Sequence, residues 1–327
     1  MNEFSLLAVK ALRRLFCNKN KKIRLGYDGY VDLYDQEAND YIYKFLSDES
    51  CGYGKMISKF GTIELSNIVA CHFEKNLWSI EYLKDVLNNN ASFNFKNKLL
   101  ALCSNAGFFP YDLELGYTFY KRMLNDIPEI DVLGSYVYEE KYVSQYLTNL
   151  KKRVNLDGYY APFKWKNPWT RVLEGKKVLV VHPFTESIKY QYENNRTRIW
   201  DDTNVLPEFE ELITLKAVQS IADAKNQPYA DWFCALKYME NEISKIDFDI
   251  ALIGCGAYGM CLASHVKRMG KIAIHLGGWT QMLFGVYGKR WIEDQPEYSR
   301  FINKYWIRPS KNEYPVGAEK VEGGCYW

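Results

Sequence analysis

Three glycines spaced G-x-G-x-x-G, at Gly254, Gly256 and Gly259, sit between the apolar run FDIALI and a helix-like run ending near Met269. A turn between strand and helix offers unpaired backbone N–H groups to an anion, most often a phosphate. Tyr258 lies inside the turn. A second apolar run, KIAIH, ends in Gly277 and Gly278, where backbone can approach a ligand closely, and Gln281 follows with both a donor and an acceptor. Lys289 and Arg290 then supply positive charge. The chemistry expected is the holding of a phosphate-bearing ligand.

A dinucleotide would need an acidic residue about twenty positions further on, closing the next strand, to bind ribose hydroxyls. That strand ends instead in His275-Leu276-Gly277-Gly278, and the next carboxylate is Glu293. The glycines also fall late in the chain, whereas such a fingerprint opens a nucleotide-binding half. No NAD is therefore expected. A purely structural reading stays open, in which the glycines let a helix pack closely on a strand.

The surrounding pattern has to position these residues. Strands are predicted at residues 54–60, 130–133, 174–184, 212–218, 248–254 and 271–278, and helices at 61–75, 98–102, 113–124, 185–195, 231–246 and 256–269. Strands separated by helices predict an α/β fold: a Rossmann-like, mostly parallel sheet with helices on both faces and a single main domain. Residues 136–171 are irregular and are expected to form a lid or a connection. Ligands in such sheets sit beyond the carboxyl ends of the strands. That singles out Gly61 to Glu64, His182 to Thr185, the 254–259 turn and Gly277 to Gln281. Glu64 reads equally as a first-turn acid of its own helix, and His182 as a core histidine ending a strand.

The 327 residues carry a net charge of only +2, so nothing points to nucleic acid. The 26 tyrosines serve core packing or stacking against sugar rings, and composition does not choose. Eight scattered cysteines without a C-x-x-C argue against structural zinc and read as reduced thiols. No apolar run is long enough to span a bilayer. Residues 5–16 fit an amphipathic helix with Val9, Ala11, Leu12, Leu15 and Phe16 on one side and Lys10, Arg13 and Arg14 on the other. It leads into the basic run CNKNKKIR, and charges within its apolar part exclude a signal peptide. The organisation expected is a basic helix and extension over 1–50 and the main domain over 51–327. The helix either packs on its own domain or lies on an anionic membrane surface.

Taken together, SKFGTIEL, VLVVHPF, DFDIALIGCGAYGMCLA and GKIAIHLGGWTQMLFGVYGKRW resemble the GT-D class of bacterial glycosyltransferases of polysaccharide and glycoprotein assembly, over roughly Met56 to Trp291. The resemblance implies a Rossmann-like domain that binds a nucleotide-diphospho-sugar, a UDP-sugar foremost, and transfers the sugar to a glycan or lipid-linked acceptor hydroxyl. In that class the first strand leads into R-F-G-D-G-E, whose two carboxylates handle a divalent metal. Here the run is Lys59-Phe60-Gly61-Thr62-Ile63-Glu64, so only the second acid is kept and lysine replaces arginine. Two options follow: Glu64 holds Mn²⁺ or Mg²⁺ weakly, or Lys59, Lys289, Arg290 and helix N-termini offset the leaving-group charge without metal. The resemblance implies Glu64 as the catalytic residue. It places Gly61, Thr62, His182, Gly254, Gly256, Tyr258, Gly259, Gly277, Gly278, Gln281 and Arg290 around the nucleotide-sugar. The expected location is the cytoplasm, at the inner membrane face if the basic helix docks there. A non-catalytic nucleotide-sugar or glycan binder is the alternative motivated by Thr62, and an NAD-dependent oxidoreductase is a third.

Overall fold

In KVLVVH both alternating sets of side chains are apolar, the pattern of a strand covered on its two faces. A computed structural model, which describes all residues except 1–2, 17–29, 50–51, 53, 76–78, 221–227, 316 and 321, forms this run into β4 (Lys177–His182), buried from Val178 onward. Six further strands join it: β1 (Lys55–Lys59), β2 (Val132–Gly134), β3 (Lys152–Val154), β5 (Glu211–Lys216), β6 (Ile250–Ile253) and β7 (Ile272–His275). The order is β3-β2-β1-β7-β6-β4-β5, and every pairing is parallel.

Parallel neighbours need crossovers, and the helices supply them on both faces. They are α1 (Glu3–Phe16), α2 (Asp35–Ser47), α3 (Thr62–Lys75), α4 (Ile80–Leu87), α5 (Phe95–Ala106), α6 (Leu113–Asp126), α7 (Leu156–Tyr160), α8 (Thr185–Ile199), α9 (Trp232–Lys245), α10 (Gly259–Arg268) and α11 (Trp279–Leu283). Alternation along the strands sorts the core. Leu179, Val181, Ala251, Ile253 and Ala273 join residues of α3, α5, α6, α9 and α10. Val178, Val180, Ile250, Leu252 and Ile274 join α2, α7, α8, α11 and the chain's last segment.

The predicted strands and helices all form, with ends shifted by a few residues. Five of these elements escaped prediction: α2, β3, α4, α7 and α11. β3 is only three residues long, too short for a period to show. α2 lies within the stretch set apart as residues 1–50, yet Ala38, Ile42 and Leu46 enter the sheet core and Leu33 bridges Val154. Residues 136–171 hold β3, α7 and several 3₁₀ turns rather than a lid. In α1, Val9 is buried while Leu7 and Leu12 are exposed. Arg13 donates to Asn89 and stacks over Phe93. The helix thus turns Arg13 inward and part of its apolar face outward. Cys71, Cys103, Cys234, Cys255, Cys261 and Cys325 are free thiols, while Cys17 and Cys51, like the run CNKNKKIR, lie outside the described residues.

The far end of α10 is pinned by charge. Asp126, fully buried, accepts from Arg122 at 2.6 Å, Arg268 at 2.8 Å and Ser264 at 2.9 Å. Lys267 pairs with Asp131 at 2.8 Å beside β2. Asp126→Ala would strand these donors, and we expect a stability loss of about 1–3 kcal/mol. Urea denaturation measures it; an unchanged midpoint would show that the cluster does not hold α10.

Candidate active site

Connections leave β4 and β6 in opposite directions, one toward β5 at the sheet edge and one toward β7. Such a switch point opens a crevice at the strands' carboxyl ends. A cavity lies there, lined from the ends of β1, β2, β4, β5, β6 and β7. Of the residues singled out by sequence, Gly61, Thr62, Glu64, His182, Gly254, Gly256, Tyr258, Gly277, Gly278, Gln281 and Arg290 line it together.

Lys289 stands outside it, and so does Gly259. Gly259 opens α10 directly against the His275 ring, where a Cβ would run into Nε2, so its smallness serves helix–strand packing. Gly254 is likewise hemmed in: a Cβ would strike Gly277 O, and would lie 2.9 Å from the His182 ring. Its N–H is already given to Val181 O at 2.9 Å. Gly256 adopts φ +57°, which favours glycine, and turns the chain past Ala106 O. The Gly256 and Ala257 amides precede the first bond of the following 3₁₀ turn, from Tyr258 N to Cys255 O, and are the ones able to face an anion. Tyr258 is an anchor: its ring stacks on Trp232 at 5.0 Å, and its hydroxyl meets Ser220 at 2.9 Å. Gly277, at φ +60°, passes over the Lys59 side chain. At Gly278, a Cβ would collide with the Tyr326 ring. Close approach at Gly278 therefore admits the chain's own last segment.

A helix N-terminus following β4 could also have held phosphate. It does not stand open. Glu313, buried, accepts from Glu186 N at 2.8 Å and from the Ser187 hydroxyl at 2.5 Å, so a carboxylate of the chain itself caps α8. His182 ends β4 just before that cap. Its Nδ1 accepts from Phe184 N at 3.0 Å, which leaves the proton on Nε2. Burial pushes its pKa down to about 3, and His275, bonded through Nδ1 to Ser58, is likewise held down to about 3 by burial and by Lys59. The cavity thus contains neutral imidazoles, and His182 acts as a donor rather than a cation.

On the opposite wall the Glu64 carboxylate folds back over Gly61, where any Cβ would meet it. Thr62 stands exposed at the start of α3. Tyr136 donates to Phe60 O at 2.9 Å, with Lys59 Nζ 5.9 Å from its ring centre. Glu140 shapes the turn that presents Tyr136, accepting from Tyr136 N at 3.0 Å and Val137 N at 2.9 Å. Gln281 is buried and gives its amide to Tyr326 O at 3.1 Å and Val286 O at 3.3 Å. Its Oε1 has no partner among the described residues. A buried acceptor without a partner costs about 1–3 kcal/mol, recovered when a ligand donates to it. Arg290 stacks over Tyr326, 4.2 Å from guanidinium carbon to ring centre, and donates to Cys325 Sγ at 3.2 Å. Lys289 is exposed and outside the lining.

Sequence reasoning missed Tyr136, His275, Ser220, Tyr326 and Trp327. His275 carried a signal, since it ends a strand whose neighbours were all singled out. The last two carried none, being brought in by the fold of the chain's final segment. Among the described residues Glu64 is the one acidic side chain in the lining, and no three His, Cys, Asp or Glu side chains converge as metal ligands. One carboxylate and one hydroxyl are a poor donor set for a hard divalent cation.

The family model described as a GT-D fold-like domain matches residues 161–283, a span that holds His182, the 254–259 turn, Gly277, Gly278 and Gln281. No curated protein matches the chain. Among solved structures, the chain is similar to a selenomethionine-substituted domain of unknown function 1792. The identity is 14%, with 98% of each chain covered and a TM-score of 0.36.

The neutral His182 has a consequence for acid stability. Its folded pKa lies below the 6.5 of an unperturbed histidine, so the unfolded chain binds more protons between about pH 3 and 6.5. Stability must fall as pH drops through 6.5, by about 2 kcal/mol for this group at pH 5. His182→Gln should therefore lose less stability than wild type between pH 7 and pH 5 in urea denaturation. Equal losses would contradict the assignment.

Proposed function

From the GT-D-like domain that the chain carries, we propose a glycosyltransferase that moves a sugar from a nucleotide-diphospho-sugar, a UDP-sugar foremost, to an acceptor hydroxyl. The observation that supports it is convergence: Lys59, Glu64, His182, Gln281, Arg290 and the amides opening the 256–258 turn border one cavity at the switch point. Cations and N–H donors suit a diphosphate, and the unpartnered Gln281 Oε1 suits a hydroxyl or ring N–H of the donor.

In the reaction, the bond from the anomeric carbon to the diphosphate oxygen breaks and its electron pair leaves with the nucleoside diphosphate. The acceptor oxygen bonds to that carbon, and its proton passes to Glu64 or to the departing phosphate. Lys59, Arg290 and the His182 Nε2–H stabilise the charge growing on the leaving group. The donor set does not fit a resident divalent cation, and the leaving-group charge is met by these cations and N–H donors.

The second reading, a non-catalytic nucleotide-sugar or glycan binder, rests on Thr62, exposed where the resemblance calls for an acid. Turnover of UDP-sugars decides between them. We expect Glu64→Ala to lower turnover about a hundredfold or more while UDP still binds, in line with the loss of a general base. EDTA should leave the wild-type rate unchanged. No turnover by wild type with intact UDP binding would favour the binder, and calorimetric binding of NAD but not UDP would overturn both.

A further inference from the structure

Beside the first cavity lies a second, walled by Lys10 and Arg13 of α1, Ser66 of α3, residues 89–94, and Asn97 and Lys98 of α5. Thr62 and Ile63 line both, so the two adjoin at the start of α3. The second cavity measures about 630 Å³ against about 210 Å³ for the first, a size that takes small molecules.

Its charge is unbalanced. Lys10, Arg13 and Lys98 face a single acid, Glu139. That carboxylate is buried and already accepts from Ser92 N at 2.5 Å and Ser92 Oγ at 3.1 Å. Lys98 is half-buried and takes part in no ion pair among the described residues. Burial holds its pKa below the usual lysine value, and the positive charge of Arg13 adds to the effect against Glu139. Asn89, Asn94 and Asn97 complete the wall, and Asn90 Oδ1, buried, has no partner among the described residues. Cations that repel one another in a cavity, with amides between them, are arranged for an anion that also carries hydroxyl groups.

We propose that this second cavity is the acceptor subsite and takes a phosphate-bearing acceptor, whose hydroxyl reaches the first cavity past Thr62. The inference rests on the glycosyltransferase reading. Phosphate can come from a lipid-linked phosphate or a soluble sugar phosphate. The outer face of α1, where Leu7 is 63% and Leu12 38% exposed, would meet a lipid chain, whereas a soluble phosphate needs no such face.

The test is calorimetric titration of inorganic pyrophosphate into the full chain saturated with UDP. One further saturable site is expected, with affinity about tenfold weaker in Lys98→Met and UDP affinity unchanged. Lys10→Gln, on the facing wall, should weaken it in the same direction and serves if Lys98→Met does not fold. No saturable site, or equal affinity in wild type and variants, overturns the inference. Failure of UDP to bind counts against the proposed function alone, because pyrophosphate can be titrated without it. Two arms then name the source. Retention on phosphatidylcholine vesicles doped with a polyprenyl-phosphate-linked sugar, but not on undoped vesicles, with release by pyrophosphate, assigns the lipid. Displacement of pyrophosphate by a soluble hexose 1-phosphate, without vesicle retention, assigns the sugar phosphate. If neither competes with pyrophosphate, the acceptor role is wrong.

Discussion

The turns that follow β6 and β7 touch, and the ligand end of the sheet is built around that contact. Gly254 N–H bonds to Val181 O and Gly277 N–H to Ile253 O, so ladder hydrogen bonding continues one residue past β6 and two past β7. Gly254 then lies against Gly277 O with no room for a Cβ. With the two backbones locked, the chain can leave β6 only by the positive-φ turn at Gly256. That turn sets where the Ala257 amide, Tyr258 and α10 begin. A phosphate-accepting turn here is the product of close backbone packing, and the packing and binding readings of the glycines are the same geometry seen from its two ends.

The charges around this end of the sheet are divided in a consistent way. The α8 N-terminus is closed from within by Glu313, so the dipole after β4 is spent on the chain's last segment. That segment in turn supplies Tyr326 and Trp327 to the cavity, and Lys289 N and Arg308 hold the Trp327 carbonyl at 3.2 and 2.8 Å. What remains open to an anion is the turn after β6, with Lys59 and Arg290 at its margins and two imidazoles kept neutral by burial. Among the described residues no helix is long and apolar enough to cross a membrane.

Much of this was legible because strand ends are legible. VLVVH, IALIG and IAIHLGG each announce where a parallel strand stops, and a parallel sheet gathers such stops on one side. What one sequence conceals is which neighbour each residue meets. Gly259 and Gly278 look like ligand-approach glycines, yet one accommodates His275 and the other Tyr326. The periodicity of α1 separates an apolar from a basic face but does not say which is turned inward, and Arg13 took the inner side because Asn89 and Phe93 receive it there. α2 was missed as part of the core because its apolar residues make sense only once Leu33 pairs with β3.

Thr62 gains a physical reason from the two-cavity arrangement. It stands at the border of both, two residues from Glu64 and across from Lys98 on the wall of the second. A carboxylate at this border would add a second negative charge beside Glu64, and among the described residues no cation-holding set of ligands surrounds it to offset the repulsion. It would also repel an anionic acceptor passing through. A threonine hydroxyl removes both penalties and still offers a donor and an acceptor to a sugar. On the proposed function, a threonine where the resemblance calls for an acid weighs against a resident cation and in favour of a phosphate-bearing acceptor, because a site without that carboxylate has less affinity for a cation and more tolerance for an anion.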